Sequence, residues 1–137
     1  MNRPATNQTN TPVFAFNPLL DVDFLDSVYE NDFEYAQQVF ANFLNGIREE
    51  LNFIQDAFQQ NDLKKVRAQL HKIKPTFSLV GLSFLTTNAE NLIIQCDAVG
   101  SAEEMKSSYN SLQKEINKWI PLVEEELTKL KNTNSNP

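Results

Sequence analysis

The chain has 137 residues, 41% of them hydrophobic and ten of them phenylalanine, enough apolar material for a single self-sufficient core. Its formal net charge of −6 argues against nucleic acid or an anionic membrane as the principal partner, and a single cysteine, Cys96, excludes an internal disulfide. No apolar stretch approaches the ~20 residues that span a bilayer and no charged-then-apolar leader opens the chain, so a cytoplasmic protein is expected.

Residues 1–17 are rich in Asn, Thr and Pro without periodicity and read as a disordered segment, although Val13, Phe14 and Phe16 are apolar enough to tuck against the body as an extended cover. Leu20, Phe24, Leu25 and Val28 recur at helical spacing, which predicts a short first helix with Asp21 or Asp23 near its start. A longer helix is predicted from about Asp32 to Gln59. Its core positions Phe33, Ala36, Phe40, Phe43, Ile47, Leu51, Ile54 and Phe58 lie close to a heptad repeat. Asn61 or Asp62 then caps a helix in which Leu63, Val66, Leu70, Ile73, Phe77 and Val80 alternate steps of three and four. Gly81 is placed to end it left-handed.

The next helix, about Ser83 to Ala98, is expected to bury Leu85, Ala89, Leu92 and Cys96 before Gly100 and Ser101 break it. A last helix from about Ala102 to Leu130 turns Met105, Tyr109, Leu112, Ile116, Trp119, Val123 and Leu127 inward, with a bend expected at Pro121. The remainder, residues 132–137, reads as a disordered polar tail, leaving 18–131 as the folded body. With only three glycines and no β-branched alternation, the fold class is all-α. Four long helices with short connections predict an antiparallel four-helix bundle, and the short additional N-terminal helix should lie over one end.

The reactive groups narrow quickly. One histidine and one cysteine cannot build the common zinc sets, and Ala68, three residues before His71, removes the Glu-x-x-His pair of di-iron bundles, so no metal site is expected. No Gly-rich phosphate loop or kinase signature is present, and nothing specifies a serine nucleophile with an oxyanion hole. The imidazole of His71 remains, nucleophilic near neutral pH. It belongs to a stripe, Lys64, Arg67, His71, Lys74, Ser78 and Gly81, displaced by one residue from the apolar stripe of its helix. Five of the twelve basic residues fall between Asp62 and Lys74, where Lys65 and Lys72 also lie; that concentration in an acidic chain favours an anionic partner. Positions three, four or seven residues from His71 define a docking face of Arg67, Ala68, Lys74, Pro75 and Ser78, with Lys64 at its margin. Asn88 and Gln95 on the following helix either approach the ring or face solvent.

His71, Lys74 and Gly81, followed by Leu82 and Leu85, form the pattern H-x-x-K-x-x-x-x-x-x-G, and the chain from about Leu19 to Leu130 resembles a histidine-containing phosphotransfer (HPt) domain in length and helix order. The resemblance implies phosphohistidine formation at His71, through Nε2, with Lys74 as charge partner. It implies relay of the phosphoryl group between aspartates of response-regulator receiver domains, with a hybrid histidine kinase upstream. Mg²⁺ and the acidic cluster belong to the receiver, so this chain is expected to need no cofactor and to act as a monomeric carrier more than an enzyme. Gly81 enters the binding set through the same pattern, and the spacing favours a helix terminator there. One departure stands out: Pro75 occupies a position where the family commonly has glycine. It should leave the His71 carbonyl without its helical donor and bend the helix or admit water. Two rivals are an HPt-like adaptor that docks receivers without accepting phosphate, and a helical phosphatase. The second needs an acid or amide near His71, and none stands out on the same helix.

Overall fold

The computed structural model describes residues 14–135, which fold into five α-helices and one 3₁₀ turn. They are α1 (Val22–Tyr29), α2 (Phe33–Gln59), α3 (Leu63–Leu79), α4 (Phe84–Ala98), the turn Ala102–Met105, and α5 (Lys106–Ser135). Three of the starts share one device: the carboxylates of Asp21, Asp32 and Asp62 accept the amides of Phe24, Tyr35 and Lys65. Each satisfies a donor that the first turn leaves unpaired and places negative charge at the positive end of the helix. Asn61, in the left-handed region at φ 56°, reverses the chain between α2 and α3 and accepts the Ala102 amide at 2.7 Å.

The predicted stripes converge. Ala36, Phe40, Phe43, Ile47, Leu51 and Ile54 of α2 are buried against Val66, Leu70, Ile73 and Phe77 of α3 and the inward residues of α4 and α5. Helix α2 packs on α3 and α5, α3 on α4, and α4 on α5, closing the four-helix ring. Each fully buried aliphatic or phenyl side chain contributes about 1.5–3 kcal/mol of transfer free energy, so packing, not surface charge, fixes α3 in place. Two prolines lie within uninterrupted helices, Pro75 in α3 and Pro121 in α5.

Helix α1 lies over the C-terminal end of α3. The Asp21 amide donates to the Gly81 carbonyl at 2.8 Å, and the Tyr29 hydroxyl donates to the Leu79 carbonyl at 2.6 Å. Gly81 adopts φ 82°, and a Cβ there would stand 2.7 Å from the Leu20 Cβ and 2.9 Å from Leu25 Cδ1. Only glycine meets both demands.

Three expectations need correction. Residues 14–17, read as part of a disordered segment, belong to the fold, and Phe14 and Phe16 form the cover expected of them: Phe16 is buried, stacks on Phe40 and meets Phe14 edge-on, while the Asn17 amide donates to the buried carboxylate of Glu126 at 2.9 Å. Val13, assigned to the same cover, lies outside the described residues, as do 1–12. The last helix continues through Ser135, anchored where Asn134 Nδ2 donates to the Phe33 carbonyl and to Gln37 Oε1. Along α5, Ile120 and Leu130 join the buried stripe, and Trp119 and Leu127, expected on the inner face, pack against the core half-buried. The buried stripe drifts because 3.6 residues per turn does not keep a seven-residue repeat on one line.

Candidate functional site

The face of α3 turned away from the core carries the predicted stripe. Lys64, Arg67, Ala68, His71 and Pro75 are exposed, and Lys74 and Ser78 are half-buried. His71 thus projects into solvent from a helix whose opposite side is buried throughout.

Three contacts tie this face to α4. Arg67 Nε lies 3.2 Å from Asp97 Oδ1, Lys74 Nζ lies 2.5 Å from Glu90 Oε1, and the hydroxyls of Ser78 and Thr86 are 3.4 Å apart. They are rungs of one antiparallel register, in which each step forward on α3 is one step back on α4. In that register His71 stands level with Ile93, which is buried. Lys74 holds the Glu90 carboxyl below the usual carboxylate range, first through the hydrogen bond and then through its charge, with His71 and Arg67 adding smaller contributions.

Neither Glu90 nor Asp97 emerges from a reading of α3 alone, yet a signal exists. Arg67 and Lys74 stand seven apart on one helix, and Glu90 and Asp97 stand seven apart on the antiparallel neighbour. Of the two amides weighed for an approach to the ring, Asn88 is exposed and Gln95 lies 3.5 Å from Ser108 on α5; neither is a rung of the seam. Cys96 is buried in the core, and desolvation pushes its thiol up.

On its other flank α3 borders a groove of about 400 Å³, lined by Val39, Gly46 and Glu49 of α2 and by Lys72, Thr76 and Leu79. A Cβ at Gly46 would meet nothing nearer than Glu50 Oε1 at 3.9 Å, so the absent side chain leaves the groove open.

Comparison with known families decides the affiliation: the model of the Hpt domain family matches residues 38–133, most of α2 through nearly all of α5. The chain belongs to the Hpt domain family. Hpt domains carry phosphoryl groups in two-component phosphorelays and interact there with receiver domains and kinases. Searches of curated proteins and of solved structures found no match.

Within this Hpt domain, Gly81 drops out of the predicted binding set. It is buried under Leu20 and Leu25, and its place in the sequence pattern reflects the left-handed end of α3 and the seat of α1. Among the described residues no three His, Cys, Asp or Glu side chains gather as a metal site, and no helix is long and apolar enough to cross a membrane.

Proposed function

We propose that His71 is the phosphoryl acceptor of this Hpt domain, and that it relays the group between aspartates of response-regulator receivers supplied by a hybrid histidine kinase. One observation carries the reading: an exposed imidazole on a rigidly packed helix, with a cation one turn away on either side. The lone pair of a neutral ring nitrogen, Nε2 by family likeness, attacks phosphorus. The N–P bond forms, the acyl O–P bond breaks, and its electron pair leaves with the partner's aspartate. The ring's new positive charge is relieved by loss of the proton on the other nitrogen to solvent.

Lys74 and Arg67 offer charge to the equatorial oxygens, while in-line geometry and Mg²⁺ come from the receiver. Ala68 and Pro75 are compact and exposed, which supports close approach of the receiver's loops; Lys64 lies at the rim and Ser78 toward α4. The groove beside Lys72 extends the surface available to that partner. The domain works in this reading as a cytoplasmic, monomeric carrier, with the partner supplying most of the chemistry.

Incubation with a labelled, phosphorylated receiver tests it. Acid-labile label should move onto the chain and be absent from His71→Gln. Label retained by that variant refutes the assignment. Label released directly as free phosphate favours the phosphatase, and docking without transfer favours the adaptor.

A further inference from the structure

The cations beside His71 are already occupied. Lys74 is held by Glu90 and Arg67 by Asp97, both carboxylates reaching across from α4. The two pairs differ in standing. Lys74 is the more sheltered cation, its side chain 26% exposed against 44% for Arg67. Lys74 also stands three residues from His71, the closer helical neighbour in the direction of the sheltered seam. An arriving phosphoryl group brings up to two negative charges to a place where one carboxylate already claims the local ammonium.

We infer that Glu90 is an internal rival of the phosphoryl group: it positions Lys74 and withholds part of its charge, so that the phosphohistidine stays ready to give its phosphoryl group up. This rests on the reading of His71 as acceptor. A lysine ammonium has three donors, so Lys74 can hold Glu90 and reach a phosphoryl oxygen together. Its charge is then shared between two anions, Glu90 being bound to the lysine that stands one turn from the imidazole. A carrier that kept Lys74 for the phosphoryl group alone would hold that group more firmly and pass it on less readily. A relay intermediate needs the opposite, a phosphorylated state close in free energy to the aspartyl phosphates on either side. Glu90 therefore tunes the transfer equilibrium without touching the reacting atoms.

Two measurements on Glu90→Gln, which keeps the side chain's size and removes its charge, test the inference. The first is NMR titration with inorganic phosphate, following resonances of His71 and Lys74. The variant should bind phosphate about two- to fivefold more tightly, the range expected of a partly exposed charge pair, and the difference should shrink in high salt. The second is the equilibrium partition of label between the chain and a receiver, which should move toward the chain by a similar factor. Glu90→Asp, which keeps the charge, should restore part of the parent behaviour. In a Lys74→Ala background the effect of Glu90→Gln should fall by at least half.

Equal phosphate affinity and equal partition in parent and folded variant overturn the inference, as does a Glu90→Gln effect that persists undiminished without Lys74. A tighter phosphate site in a chain whose parent takes no label from any receiver refutes the acceptor role of His71 and leaves the competition for Lys74 standing.

Discussion

In the register set by the α3–α4 contacts, His71 stands level with the buried Ile93, while the rungs on either side pair Lys74 with Glu90 and Arg67 with Asp97. At the level of His71, then, the α4 position is apolar and buried, and the carboxylates of the seam lie one turn to either side. A phosphatase orients water with an acid or amide set beside the phosphorus, and isoleucine can do neither. The nearest carboxylate rung, Glu90, is engaged by Lys74.

Lys74→Ala should fold as the parent does, because the residue lies outside the core and its ion pair is partly exposed. Phosphohistidine lifetime should shorten by about two- to fivefold, as expected for loss of one partly exposed charge partner. Rates and lifetime indistinguishable from the parent would remove Lys74 from the site.

Ala68→Trp should block transfer from a receiver and leave labelling by a small phosphodonor intact. Ala68 is exposed one turn before His71, so a bulky side chain there fills the partner's approach without entering the core. The comparison to make is label uptake from the two donors; equal losses would point to a damaged acceptor instead of a blocked dock.

Gly81→Ala should cost about 2–4 kcal/mol, combining the left-handed penalty with overpacking against Leu20 and Leu25. Urea denaturation measures it. A loss under ~0.5 kcal/mol, the range of ordinary surface substitutions, would show that α1 yields easily.

The chain should also lose stability in alkali. Burial pushes the Tyr29 and Tyr109 hydroxyls far above their ordinary value of 10.0, Tyr35 adding to the effect at Tyr29. The sign follows from linkage: the folded state favours the protonated phenols. Their contribution is complete below the unfolded pKa and drains away as pH rises from about 10 toward the folded values. Thermal unfolding followed from pH 8 to 11 should show the decline, and Tyr29→Phe should blunt it while losing the Leu79 hydrogen bond.

Much of this architecture can be read from residue order. Asp21, Asp32 and Asp62 announce helix starts because capping is a local event, and the α2 and α3 stripes are legible because burial imposes a 3.6-residue period. What escaped depends on partners far along the chain. Lys131 to Ser135 carries no apolar stripe, and its helix is held through Asn134 by residues about a hundred positions earlier. Glu126 looks like a surface glutamate until Asn17 and Lys129 close on it. Phe14 and Phe16 stand out as apolar in a polar segment, but their seat against Phe33 and Phe40 shows only in the fold. At the site, His71 and its basic flank are local features of α3, whereas Glu90 and Asp97 require the register between two helices.

The brace over the end of α3 has a practical consequence for excising the domain. The span shared with the family begins at residue 38, inside α2, and omits Tyr29, Asp21, Leu20 and the aromatic residues around Phe16. Cut there, the piece would keep His71 and every rung of the seam, yet the Leu79 carbonyl would lose its donor and Phe40 would be stripped of Phe16 and Tyr29. The serviceable boundary lies ahead of Phe14, some two dozen residues before the recognisable family begins.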